Sequence, residues 1–377
     1  MTETWIAGFR TAVVDPSGAN NLAAPRGFAD ETVLQVLHLA GGGKRLRVRV
    51  SNRYGTAPLV VGAAAVARHA GEFQAEPGSV VALSVRGERR FTVAPGAEIV
   101  SDDVELAAAS GEDLLLGLYL PESTEPATYS QAPAQDALVV AGEQVGGRRT
   151  GDGTLAPTRF YVSGVDVLAA QGTPVVVALG DSWFEGVGTT PGTNNRVVDR
   201  LTAGLARGWA VNQGISGNQL LLDDVGESGL HRFDRDVLAV PGVTHVVVNL
   251  GINDLGLGEV ATAADLIAGY TELAERAHRA GIAVYANTIG PFAGVIYPEV
   301  NVEPAIPVRR QVNEWLCATD VFDGVFDIAT AVADPANPDY IRPDLDCGDG
   351  LHLNDEGSRI MAAAIRIPDL VRVAAAA

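Results

Sequence analysis

Cysteine is scarce. The 377-residue chain carries two, Cys317 and Cys347, too few for a disulfide framework, and two reduced thiols are the expected state. Basic charge is in deficit as well: 27 Lys and Arg face 46 Asp and Glu, a formal net charge of −19. A field of that sign repels phosphate backbones and anionic lipid, so neither nucleic acid nor a membrane is expected as a partner. No apolar run approaches the ~20 residues a membrane helix needs. Residues 1–6 include an acid where a secretory leader carries bases, and no apolar stretch of leader length follows. The expected location is the cytoplasm.

What is present is a globular composition, 47% hydrophobic and 19% charged, in a chain long enough for one large or two ordinary domains. The first part reads as β. Leu46, Val48 and Val50 alternate with Arg47 and Arg49, the period of a strand with one wet face. Short runs at 80–85, 91–93, 104–106 and 114–120 are separated by Gly, Pro, Asp or Glu, which predicts an all-β sandwich or jelly roll. After 163–174 the pattern changes. Residues 175–179 form a continuous apolar run, as expected of a strand buried on both faces. A helical face follows at Val197, Val198, Leu201 and Leu205, then strands around Val211 and at 246–248. A second helix carries Leu266, Tyr270, Leu273 and Ala277 and is closed by Gly281; strand 282–289, a helix around Val312 and Leu316, and a strand at Val325 and Phe326 complete the series. Alternating strands and helices predict an α/β domain, a parallel sheet with helices on both sides. The expected domains are 1–168 (β) and 169–377 (α/β).

Parallel sheets place their sites beyond the carboxyl ends of the strands. The 175–179 strand runs into Gly180-Asp181-Ser182, which sets a hydroxyl between a strand end and a helix start, where backbone N–H groups converge. The same three residues are also ordinary turn formers. A nucleophilic serine needs a base, and the chain has six histidines. His38 and His69 fall in the β part, His278 within a helix, His245 at the amino end of a strand and His231 in a charged segment; solvated or capping roles suit these five. His352 differs. It sits three residues after Asp349, and on a helical turn that spacing lets the carboxylate orient the imidazole. The alternative is a loop in which Asp349 caps the following turn. A metal role for the pair lacks the further ligands that would close a shell. Gly217 and Asn253 follow the second and third strands and are candidate oxyanion donors, or turn residues. Each candidate follows a different strand toward one edge of the sheet.

These residues resemble those of the SGNH (GDSL-like) hydrolase superfamily of lipases, esterases and acyltransferases. Its four blocks match in order as Gly180-Asp181-Ser182, Gly217, Gly251-Ile252-Asn253-Asp254 and Asp349-Gly350-Leu351-His352. The resemblance implies a three-layer α/β/α, flavodoxin-like sheet, Ser182 as nucleophile, His352 as base and Asp349 as its orienter. It also implies an oxyanion hole from Ser182, Gly217 and Asn253. No metal or cofactor is implied; an acyl-thioester such as acyl-CoA is a candidate co-substrate, and a small-molecule hydroxyl the acceptor. Residues 34–39, 46–52 and 62–67 are similar to a sandwich, of carbohydrate-binding-module type, that precedes some SGNH domains. A sugar platform wants exposed aromatics, and this part has few, among them Trp5, Tyr54 and Tyr119. Two features depart from the family: Trp183 stands where Leu or Ile is usual, and residues 1–6 do not read as the leader expected of secreted relatives. They point to an apolar or aryl acyl group, with Trp183 either lining its pocket or filling the core, and to O-acyl transfer onto a polyketide-like acceptor. Hydrolysis of small esters or acetylated carbohydrate is the alternative.

Overall fold

The computed structural model describes residues 2–147 and 153–370. The chain divides into two compact units, Met1–Gly172 and Thr173–Ala377.

The first unit is built from antiparallel sheets. One orders Glu3–Arg10, Val162–Ala170, Leu46–Ser51 and Glu98–Val100; a second orders Thr154–Ala156, Ala137–Ala141, Glu31–His38, Asp113–Leu120, Ala63–Arg68 and Val81–Ala82, and two further sheets pair Leu59–Val61 with Phe91–Val93 and Tyr129–Ser130 with Arg159–Phe160. In Leu46–Ser51 the expected alternation is visible, with Leu46, Val48 and Val50 buried and Arg47 and Arg49 half-buried. Those arginines do not simply face water. Arg49 Nη2 lies 2.7 Å from Asp166, which also pairs with the buried Arg10, and the Arg47 guanidinium stacks 4.0 Å above the Trp5 ring. Two expected strands shrink. From the 80–85 run only Val81–Ala82 pairs, because Val85 turns back through Arg86 and Gly87, both at positive φ, to meet Glu88. From 104–106 only a bridge between Val104 and Leu46 remains.

The second unit is an α/β domain around a parallel sheet. Its strands lie in the order Trp209–Gly214, Val175–Gly180, Val243–Asn249, Ala283–Asn287 and Gly324–Phe326, all parallel. In chain order this is 2-1-3-4-5, which puts the reversal of winding, the usual ligand crevice, beyond the carboxyl end of Val175–Gly180. Residues Val175 to Leu179 are fully buried, as an apolar run covered on both faces must be. The helix Ala263–Arg279 begins where the Thr262 side chain accepts from the Asp265 N–H, an N-cap that satisfies one free donor. It buries Leu266, Tyr270, Leu273 and Ala277 and ends before Gly281 at φ +73°, the left-handed stop a glycine supplies most readily.

The second and first strands are drawn together at Gly214. A Cβ there would sit 2.3 Å from the Glu185 nitrogen and 2.8 Å from the Asp181 oxygen, both backbone atoms of the turn after the first strand. Gly214→Ala is therefore expected to destabilise the second domain by about 1–3 kcal/mol through overpacking, seen as a lower denaturant midpoint of that domain's transition; an unchanged midpoint would show that the turn can yield.

Candidate active site

The first strand ends in a tight turn that the sequence makes possible at two points. Residue 180 must be glycine, since a Cβ would lie 2.6 Å from the Phe184 ring and 2.9 Å from the Asn249 carbonyl. Asp181 then caps the four-residue helix Ser182–Glu185, its Oδ1 accepting the Trp183 N–H at 3.0 Å. Ser182 opens this helix and is 5% exposed.

His352 meets it from the far end of the chain. Its Nε2 lies 2.9 Å from Ser182 Oγ, across 170 residues of sequence, and its Nδ1 lies 2.6 Å from Asp349 Oδ2. The expected helical turn at 349–352 is not there. The segment is a loop with Gly348 and Gly350 at positive φ, and Asp349 Oδ1 accepts the N–H of Leu351 at 2.9 Å and of His352 at 2.8 Å. The two readings of Asp349 thus coexist: one oxygen caps the turn and the other holds the imidazole. Burial alone would raise the Asp349 carboxyl; the bond from His352, its charge and the two backbone donors outweigh that and hold it well below the usual carboxylate range. It stays ionised at any pH where the imidazole can act as a base.

The candidate oxyanion donors lie on neighbouring segments. Gly217 has φ +81° in the loop after the second strand. That loop is bound to the nucleophile's helix, because Glu185 Oε2 accepts both the Ser216 N–H and its hydroxyl at 2.6 Å. The Asn253 side-chain amide donates to the Asn218 carbonyl at 2.9 Å, which brings it beside Gly217 and leaves its second N–H. Asp254 accepts from the Leu220 and Leu221 nitrogens at 2.8 and 2.9 Å. Beneath them Arg232, fully buried, donates to the carbonyls of Gly180 (2.9 Å) and Gln213 (2.8 Å) and to the Asn218 side chain (3.0 Å), with Asp236 as its counter-charge at 3.2 Å.

Three of the other histidines also face aspartates: His38 with Asp113, His231 with Asp223 and His278 with Asp323. Among the described residues only His352 adds a serine hydroxyl on its second nitrogen. Trp183, whose side chain was open between pocket wall and core, is a buried strut. It is 4% exposed, its edge lies against Gly290, and its Nε1 donates to the Leu351 carbonyl at 3.0 Å. Sequence reading missed Glu185, Arg232 and Tyr297, whose hydroxyl donates to Asp349 Oδ2 at 3.0 Å. Glu185, three residues after the serine, was the nearest to a signal; Arg232 and Tyr297 are remote in sequence from what they hold. Asp346, Cys347 and Asp349 place ligand atoms within 4.8 Å of one another, but both Asp349 oxygens already accept hydrogen bonds, so the set suits an imidazole better than a cation.

Fold and site together define an enzyme of the acylhydrolase class. Residues 178–360, within the second domain, match the GDSL-like Lipase/Acylhydrolase family. Solved structures similar to the chain include the M. smegmatis aryl esterase (17% identity, 51% of this chain and 96% of that one, TM-score 0.44). A GDSL-like lipase from Bacteroides thetaiotaomicron matches at 20% identity over 52% of this chain and 86% of that one, TM-score 0.41. A carbohydrate acetylesterase from Sinorhizobium meliloti matches at 18% identity over 51% of this chain and 96% of that one, TM-score 0.39. Nothing about substrate follows from likenesses this distant. No curated protein matches the chain. Among the described residues no helix is long and apolar enough to cross a membrane.

Asp181 is the buried acid under the nucleophile. Desolvation raises it to about 7, with nearby Asp254 adding, against the bonds from the Trp183 N–H and the Asn249 amide. Its folded value lies above the unfolded value of about 3.9, so the fold prefers the protonated form. The stability it contributes is full at acid pH and is lost as pH rises from about 4 through about 7. Asp181→Asn keeps the shape and removes the titration. The variant is expected to lose less melting temperature than wild type over that window. Parallel melting curves against pH would show that the proton resides elsewhere.

Proposed function

We propose that the protein transfers acyl groups through an ester on Ser182, with water as the ordinary acceptor: a carboxylesterase acting on small esters. The observation that carries this is the continuous line of bonds from Ser182 Oγ through His352 to Asp349. His352 Nε2 takes the Oγ proton as Oγ bonds the carbonyl carbon. The resulting oxyanion is met by the N–H of Ser182 and Gly217 and by the Asn253 amide. Collapse breaks the bond to the leaving alcohol, which receives the proton from His352. Water then attacks the acyl-enzyme with the same imidazole as base, and the proton returns to Oγ as the acid departs. Asp349 keeps the Nδ1 proton in place throughout.

A second reading has a specific support. Ser182 and His352 are 5% and 8% exposed, and a site so covered protects an acyl-enzyme from water. In this reading the chain moves an aryl acyl group from a thioester such as acyl-CoA to a hydroxyl of a polyketide-like small molecule. It then resembles the salicylyl O-acyltransferase of tetracycline-type polyketide tailoring. A Trp183 that also lines the acyl pocket belongs to this second reading; hydrolysis stands first because water requires no bound acceptor. A three-layer catalytic domain, a sandwich form for the β domain and a cytoplasmic location belong to the same proposal.

Intact-mass measurement after mixing with aryl and alkyl esters and thioesters, with and without polyhydroxylated acceptors, tests both readings. An acyl adduct absent from Ser182→Ala and discharged by water at the same rate whatever the acceptor is the expected result. Faster discharge to an acceptor establishes transfer, and no adduct or turnover with any donor overturns the proposal. Asp349→Asn is expected to lower kcat/KM by about 10⁴.

A further inference from the structure

The loop that carries the base has no regular secondary structure and much of its bonding is internal. Asp346 accepts from the Gly348 and Gly350 N–H groups, Asp349 from Leu351 and His352, and the Cys347 N–H donates to the His352 carbonyl at 3.0 Å. Internal bonds shape a loop but do not locate it against a nucleophile on another segment.

Trp183 does locate it. It follows the nucleophile directly, and its backbone is fixed, because its N–H donates to Asp181 Oδ1 at 3.0 Å. From that anchored position its indole N–H reaches the carbonyl of Leu351 at 3.0 Å, the residue directly before the base. One side chain therefore joins the neighbour of Ser182 to the neighbour of His352. The ring has little freedom to swing. It is 4% exposed, and a Cβ on Gly290 would lie 2.2 Å from its Cη2 atom, so the indole fills space that exists because residue 290 is glycine. On the other side of the loop the Ile296 N–H donates to the Asp349 carbonyl at 3.0 Å and Tyr297 to its carboxylate, which steadies the acid; beyond the base, Asp355 accepts from the Thr190 N–H and the Asn195 amide, each at 2.8 Å, and the Leu351 carbonyl directly before the base is held by Trp183.

We propose that Trp183 is a positioning residue: its indole N–H, by holding the Leu351 carbonyl, sets the His352 imidazole at hydrogen-bonding distance from Ser182 Oγ. This rests on the acyl-transfer reading of Ser182. Trp183 touches no reacting atom in this role; it acts through the base. A leucine or isoleucine at 183 has no donor for that carbonyl, so the tie is specific to tryptophan here.

The test separates the N–H from the ring. Trp183→Phe removes the donor and part of the ring. Replacement of Trp183 by benzothienylalanine, which carries sulfur in place of the N–H, removes the donor alone and guards against a folding defect in the first variant. Labelling of Ser182 by a fluorophosphonate, followed by intact mass, reports nucleophile activation without knowledge of the substrate; p-nitrophenyl esters give kcat and KM. The expected result is a labelling rate and a kcat lowered by about tenfold or more, as a displaced base costs, with KM within about twofold and an unchanged melting temperature for the sulfur analogue. A folded analogue that labels and turns over like wild type overturns this inference and leaves the acyl-transfer reading standing. Failure of wild-type Ser182 to label, in a protein with a normal melt, overturns both.

Discussion

Everything at the site depends on one carboxylate serving two masters. Asp349 sits on a loop, where an unaided side chain would sample many positions, and an imidazole can act as a base only when one tautomer and one orientation persist. The loop solves both needs with the two oxygens of a single group. Oδ1 collects the backbone N–H groups of Leu351 and His352, which fixes the turn, and Oδ2 takes the imidazole and the Tyr297 hydroxyl. Four donors on one buried anion outweigh its desolvation, so it keeps its charge where an isolated buried carboxyl would take up a proton. At that position a glutamate carries one methylene too many to place both oxygens in the same way, and an asparagine lacks the charge.

The ground beneath the site is polar, which is unusual for the floor of a parallel sheet. Asp181, Asn249 and Asn287 form a hydrogen-bonded row across three strand ends, with Asn249 donating to Asp181 at 3.1 Å and Asn287 to Asn249 at 3.0 Å. Arg232 joins two strand ends to the loop that bears Gly217. Buried charge and amide of this kind contribute little net stability, because desolvation offsets most of the attraction. Their value is geometric: the row ties three strand ends to one another, and Arg232 satisfies the strand-end carbonyls of Gly180 and Gln213 while holding the following loop in place. The first domain handles its own buried charge in a self-contained way, with Asp166 between Arg10 and Arg49.

Legibility from sequence followed the range of the interaction. The Val175–Gly180 strand and the Ala263–Arg279 helix could be read because their patterns express local burial, with a period of two or none in a strand and 3.6 in a helix. The 80–85 run misled, since a hydrophobic run says nothing about a turn at positive φ that withdraws half of it from pairing. The site residues Ser182, Gly217, Asn253, Asp349 and His352 were legible as candidates because each follows a strand end or stands at a short spacing from its partner. The shape of the 349–352 segment was not: three residues of separation fits a helix and an aspartate-capped loop equally, and the glycines at 348 and 350 decide between them through backbone angles that spacing does not encode.

By itself the amino-acid order determined which segments alternate between strand and helix, where the chain changes from β to α/β, and which serine, histidine and aspartate were worth pairing. Those are consequences of burial periodicity and of residue chemistry over a few positions. Tertiary structure alone decided that Ser182 and His352 meet across 170 residues, that the Trp183 indole reaches the Leu351 carbonyl, and that Tyr297, Glu185 and Arg232 hold the parts in place. The reason is that these contacts depend on strand order and loop path, and a hydrogen bond between distant segments leaves no mark in the local pattern of either.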